Sequence, residues 1–187
     1  MLIDSPNSWI GEEIEGYGLT KILGHGRIGY VFLAQHKSIP ESLRACKIVR
    51  DGQLKDGWDR EIAKVAQLSG VPEIVGIISW GSRQNRANRP FSYIFYTYVN
   101  STSLKDYLKA NPSPPFMMIQ AIGETLLRAK HACDAVDIKH GDIHEGNILI
   151  SKSDPRFPEN KQRILVTDFG YGGSHNALDP KDDTLQI

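Results

Sequence analysis

The chain has 187 residues, 40% of them hydrophobic, enough for a real core in one ordinary domain or one and a half small lobes. Lysine and arginine total 22 and so do aspartate and glutamate, so no global field draws the chain to nucleic acid or an anionic membrane, and any phosphate binding must be local. Neither partner is expected. The first residues carry no basic stretch followed by a long apolar one, and no run approaches ~18 apolar residues, so secretion and membrane spanning are not expected. Cys46 and Cys133 are far apart and lack metal-site spacing, which fits reduced core thiols and a cytoplasmic protein.

In chain order, Tyr17 to Leu23, Tyr30 to His36 and Leu43 to Val49 read as an antiparallel meander of three strands, joined by a glycine loop and the Ser38 to Glu41 turn. From Leu54 to Leu68 the residues Trp58, Ile62, Val65 and Leu68 recur at helical spacing, and Ser69-Gly70-Val71-Pro72 ends the pattern. Ile74 to Trp80 and Phe91 to Val99 are two further strands around the polar loop Ser82 to Pro90, whose three arginines read as a solvated hairpin end. Ser103 to Lys109 is a short helix stopped before Pro112, Pro114 and Pro115, and a long helix runs from Phe116 to about Val136. Ile119, Ile122, Leu126, Ala129 and Cys133 form a stripe on it wide enough to demand burial. Ile148 to Ile150 and Ile164 to Val166 are short apolar strands with Pro155 to Lys161 as their hairpin loop, and Tyr171 to Asn176 is glycine-rich.

The residues that carry chemistry cluster around these last strands. In His140-Gly141-Asp142-Ile143-His144-Glu145-Gly146-Asn147, an aspartate and an asparagine separated by four residues can form a tight loop with a carboxylate for an attacking hydroxyl and an amide oxygen for a metal. Asp168, in Asp168-Phe169-Gly170, can bridge the same metal to nucleotide phosphates. Gly24-His25-Gly26-Arg27-Ile28-Gly29-Tyr30-Val31 lies between two strands rather than opening a helix, which favours a flexible phosphate lid with Val31 against an adenine ring. Lys47 alternates to the same side as Ala45, where it could reach phosphates, and Glu61 borders the apolar face of the 54–68 helix, where it could pair with Lys47.

In order, Gly24-x-Gly26-x-x-Gly29-x-Val31, Ala45-x-Lys47, Trp58-Asp59-Arg60-Glu61-Ile62, Tyr98 to Leu104, His140-x-Asp142 to Asn147 and Asp168-Phe169-Gly170 resemble a eukaryotic-type protein kinase domain. The resemblance implies an α+β, two-lobed fold. Its N-lobe, residues 1–99 with the hinge, would hold a five-stranded antiparallel sheet and one helix, and residues 100–187 would form a partial helical C-lobe. It implies an ATP- and Mg2+-dependent phosphotransferase acting on serine or threonine of a protein substrate. Lys47 would orient the α and β phosphates, Glu61 would hold Lys47, Asp142 would act as catalytic base, and Asn147 and Asp168 would bind magnesium. Gly24, Gly26, Gly29, Val31, Ala45 and Lys47 would line the nucleotide site with Tyr96 as gatekeeper, and Thr97, Tyr98 and Val99 would offer backbone groups to adenine.

The chain departs from the family at three places. Gly141 stands where many protein kinases carry the arginine that pins a phosphorylated activation loop, so activity independent of phosphorylation at Ser174 or Thr184 is expected. His144 replaces the usual lysine. It either donates to the transferring phosphoryl group or braces the loop, and the His-Gly-Asp-x-His pattern is also similar to aminoglycoside and choline phosphotransferases. No Ala-Pro-Glu follows Asp168-Phe169-Gly170. The end of the chain resembles the start of the family's central C-lobe helix, with Asp182 or Asp183 as its brace. A partner chain or a missing C-terminal half would then cover the 116–136 helix. A third reading follows, a catalytically silent nucleotide-binding regulatory protein.

Overall fold

A computed structural model describes residues 5–25, 29–49, 58–152 and 162–169. The fold is α+β, and the chain divides into two compact units, Met1–Ile62 with Ile77–Tyr98, and Ala63–Gly76 with Val99–Ile187. Gly26, the 54–57 start of the expected helix, the Pro155 to Lys161 loop, Gly170, the Tyr171 to Asn176 stretch, Ser174, Asp182, Asp183 and Thr184 lie outside the described residues.

In the first unit, β1 (Glu13–Ile14), β2 (Tyr17–His25), β3 (Gly29–His36), β4 (Leu43–Val49), β5 (Ile77–Gln84) and β6 (Pro90–Thr97) form one antiparallel sheet in the order β1-β2-β3-β4-β6-β5. The five expected strands appear as β2 to β6, the fourth of them displaced to Ile77–Gln84, and the two-residue β1 adds a sixth at the edge. Too short to show an alternating pattern, β1 is held by Ile14, which is fully buried. Alternate residues of the strands send Tyr17, Leu19, Tyr30, Phe32, Cys46, Ile48, Tyr93 and Phe95 into one aromatic core, with Trp9 stacked edge-on against Phe91 at 4.9 Å. Burying a side chain such as Phe32 or Phe95 completely contributes about 1.5–3 kcal/mol.

The apolar run from Ile74 to Trp80 does not form one strand. Ile74 makes a parallel bridge with Val166, the Val75 N–H donates to the Val166 carbonyl, and β5 begins only at Ile77. Gly76 separates the two parts, where a Cβ would come within 3.0 Å of the Ser69 carbonyl oxygen. Periodicity alone cannot see such a division, because both parts are apolar and extended.

In the second unit β7 (Ser101–Ser103), β8 (Ile148–Ser151) and β9 (Ile164–Val166) form an antiparallel sheet. Helix α1 (Trp58–Ala66) crosses the boundary between units and ends in a 3-10 turn, Gln67–Gly70. Helix α2 (Leu104–Ala110) starts at a reciprocal cap, with Ser103 Oγ accepting from the Asp106 N–H and donating to its carboxylate. Pro115 precedes α3 (Phe116–Ala135), since proline's fixed φ and missing N–H suit a helix start. Only the second half of the expected α3 stripe is buried, at Leu126, Ala129 and Cys133. Phe116, Met117 and Ile119 are more than half exposed. No helix of the described residues is long and apolar enough to cross a membrane.

Candidate nucleotide and phosphotransfer site

In the first unit, strand register gathers the candidate residues. Val31 pairs with Lys47 across β3 and β4, Lys47 pairs with Ile94, and Ala45 pairs with Tyr96 across β4 and β6. Directly paired residues share a face of the sheet, so Val31, Ala45, Lys47 and Tyr96 lie together on the face opposite the aromatic core. Lys47 is 3% exposed there. The last ladder pair is Arg44 with Thr97, and Tyr98 and Val99 belong to no strand.

The glycines of the β2–β3 hairpin serve different ends. A Cβ on Gly24 would meet nothing within 4 Å, whereas one on Gly29 would stand 1.9 Å from the Ile48 carbonyl oxygen. Gly29 is therefore required by the close approach of β4 regardless of any ligand.

On α1, Ile62, Val65 and Leu68 of the helix and its 3-10 extension are buried, but Glu61 is exposed. Glu61 takes part in no ion pair among the described residues, so the expected pair with Lys47 is not formed. Glu61 flanks the apolar stripe rather than sitting within it, and burial of Ile62 does not carry its carboxylate inward.

In the second unit Asp142, His144, Asn147 and the segment before Asp168 are brought together by a chain of hydrogen bonds. His140, 4% exposed, lies with Nε2 3.0 Å from the Thr167 carbonyl and Nδ1 accepting from the Asp142 N–H at 3.3 Å. A carbonyl can only accept and an amide N–H can only donate, so His140 is the neutral tautomer with its proton on Nε2. Its ring packs on Phe169 with centroids 4.3 Å apart. The Thr167 N–H donates to the Asn147 carbonyl at 3.0 Å, so both backbone groups of the residue before Asp168 are tied to the 140–147 loop. Asp168 itself has φ +61, a left-handed backbone that aspartate tolerates better than most residues.

Asn147, 8% exposed, donates through Nδ2 to the Asp142 carbonyl at 3.0 Å and to Asp142 Oδ2 at 3.3 Å. Both partners are acceptors, which fixes the amide orientation and leaves Asn147 Oδ1 as the atom available to a cation. Asp142 Oδ1 takes no hydrogen bond among the described residues, and the carboxylate side chain is 54% exposed. The donor set thus fits an oxygen-preferring cation of the magnesium type. His144 Nε2 lies 3.9 Å from Asp142 Oδ2, and its Nδ1 accepts from the Gly146 N–H at 3.0 Å.

Thr167 also belongs to this hydrogen-bonded loop. Its contribution is entirely backbone, so no side-chain pattern could reveal it.

The sequence pattern of the protein kinase domain matches residues 17–183. A probable serine/threonine-protein kinase of Clostridium perfringens is 25% identical over 166 residues, covering 86% of this chain and 22% of that protein. PknF of Mycobacterium tuberculosis is 28% identical over 169 residues, covering 87% of this chain and 33% of that protein. The chain therefore spans no more than about a third of the length of these curated relatives. Among solved structures, the kinase domain of Mycobacterium tuberculosis PknI superposes with TM-score 0.62 at 20% identity, over 88% of this chain and 63% of that one. Rad53 residues 1-466 in complex with AMP-PNP superposes with TM-score 0.68 at 23% identity, over 84% of this chain and 39% of that one. These two likenesses concern the fold. With the family pattern covering most of its length, the chain belongs to the protein kinase family.

Proposed function

We propose that this chain is an ATP- and magnesium-dependent phosphotransferase that acts on serine or threonine hydroxyls of proteins. The observation that carries the reading is the hydrogen-bonded loop of His140, Asp142, Asn147 and Thr167, which presents a carboxylate oxygen, an amide oxygen and the start of Asp168 in one place. The substrate class is supported by the serine/threonine kinase relatives, and the use of ATP by the AMP-PNP in the Rad53 complex.

In the proposed reaction the Asp142 carboxylate takes the proton of the acceptor hydroxyl as the hydroxyl oxygen bonds to the γ-phosphorus of ATP. The bond from that phosphorus to the β–γ bridging oxygen breaks, and ADP leaves. Asn147 donates to Oδ2 of the same carboxylate, which fixes its orientation beside the acceptor. Asn147 Oδ1 and the Asp168 carboxylate would hold magnesium, which neutralises charge on the phosphate oxygens when bound. Lys47 is assigned to the α and β phosphates, with Gly24, Gly26, Gly29, Val31, Ala45, Tyr96, Thr97, Tyr98 and Val99 around the nucleotide. Gly141 has φ +73, a conformation an arginine would adopt only under strain, in keeping with activity that needs no phosphorylated activation segment.

The exposed Glu61 favours a second reading, a regulatory protein that binds nucleotide without turnover. Transfer of labelled γ-phosphate from magnesium-ATP to a generic protein separates the two. Under the first reading the chain transfers phosphate and Asp142→Ala lowers the rate by at least about a hundredfold, with an unchanged melting temperature. ATP that raises the melting temperature without any transfer would support the second. Phosphorylation of aminoglycosides or choline but not protein would overturn the assigned substrate.

A further inference from the structure

We propose that Gly146 is a positioning residue that sets the His144 imidazole beside Asp142 as a fixed hydrogen-bond donor. The inference rests on the phosphotransferase reading and concerns how the acceptor hydroxyl is oriented there.

Two features of Gly146 act on the same ring. Its N–H donates to His144 Nδ1 at 3.0 Å, which requires that nitrogen to be bare and puts the ring proton on Nε2. A Cβ at position 146 would stand 2.7 Å from His144 Cε1 and 2.9 Å from Nδ1, so the ring occupies the space a side chain would fill. The backbone does not explain this glycine, because Gly146 is not among the positive-φ glycines Gly11, Gly16 and Gly141. What glycine provides at 146 is room for the ring.

The side chains of His144 and Asp142 are 49% and 54% exposed, so neither is held by burial. Asn147 anchors the carboxylate, and Gly146 anchors the imidazole. His144 Nε2 stands 3.9 Å from Asp142 Oδ2, too far for a direct hydrogen bond. One hydroxyl oxygen about 2.8 Å from each fits between them. A donor beside an acceptor matches a hydroxyl, whose lone pair receives the Nε2 proton while its own proton goes to the carboxylate. His144 thereby restricts the acceptor's rotation before transfer.

Because the exposed ring can swing aside, Gly146→Ala should cost little stability and act on ring position. Nitrogen-15 NMR of the histidine-labelled chain reads this without any activity. Neutral His144 should show one tautomer, protonated at Nε2, while the exposed His131 serves as an unconstrained reference. Gly146→Ala should return His144 to the mixed signal of His131. A mixed signal in the unsubstituted chain, or one unchanged by Gly146→Ala, overturns the proposal.

Kinetics supply the second arm. Gly146→Ala and His144→Ala should each lower kcat by about tenfold or more with the ATP KM unchanged, and the double variant should be no slower than His144→Ala alone. Additive losses would overturn the proposal. Absence of transfer by the unsubstituted chain would count against the phosphotransferase reading alone, and the NMR arm would still decide the role of Gly146.

Discussion

The candidate residues of the first unit and those of the second are held by different physics. Val31, Ala45, Lys47 and Tyr96 share a face because strand pairing puts them there, and their positions follow from the backbone ladder of β3, β4 and β6. Asp142, His144 and Asn147 occupy a loop with no ladder, where single hydrogen bonds with His140, Gly146 and Thr167 replace strand pairing. A sheet spreads its positional restraint over many bonds. The loop concentrates it in few, so losing one partner there should displace a functional group, while the sheet should suffer chiefly where its strands are forced apart.

The largest test of that contrast is Gly29→Ala. The new methyl would overlap the Ile48 carbonyl at 1.9 Å, parting β3 from β4, with an expected loss of about 2–3 kcal/mol in urea unfolding. An unchanged midpoint would show that the ladder yields and that register is not what fixes Lys47. Asn147→Ala removes both bonds to Asp142 and should cost about 1.5 kcal/mol without nucleotide. A change below about 0.5 kcal/mol would mean that the loop holds its shape without the amide.

Tyr93, on the interior strand β6, tests the sheet with the smallest effect. Burial, reinforced by its hydrogen bond to Glu15, pushes its phenol from an ordinary 10.0 to about 12. The folded protein keeps the proton where the unfolded chain loses it, so this stabilisation is complete below pH 10.0 and is lost as pH rises toward about 12. Tyr93→Phe should cost about 1 kcal/mol at neutral pH and flatten the alkaline fall of the melting temperature. An equally steep fall would place the alkaline weakness elsewhere.

Much of the fold was legible where one signal dominated. Leu43 to Val49 is β4 with the expected bounds, and the short helix expected from Ser103 to Lys109 is α2, Leu104–Ala110, with Ser103 as its cap. The helix start at Phe116 followed from the prolines before it. Legibility failed where an apolar residue had two destinations. Ile74 reads like the beginning of β5, yet it joins Val166, and Ile119 reads like the core stripe of α3, yet it is 53% exposed. Hydrophobic pattern states that a residue is apolar and on which side it lies, without naming its partner.

The candidate site divides along the same line. The sequence by itself determined which groups are present, namely the carboxylates Asp142 and Asp168, the amide Asn147, the ammonium Lys47 and the substitution of His144 for lysine. It also determined their order on strands and loops, because strand alternation and turn chemistry are local. Only the tertiary structure decided that Asn147 turns its amide oxygen free by binding Asp142, that Gly146 gives its space to His144, and that Glu61 stays exposed beside a buried stripe. Those outcomes depend on hydrogen bonds and steric contacts made in three dimensions, where a donor, an acceptor and an absent methyl must meet at specific distances that residue spacing does not encode.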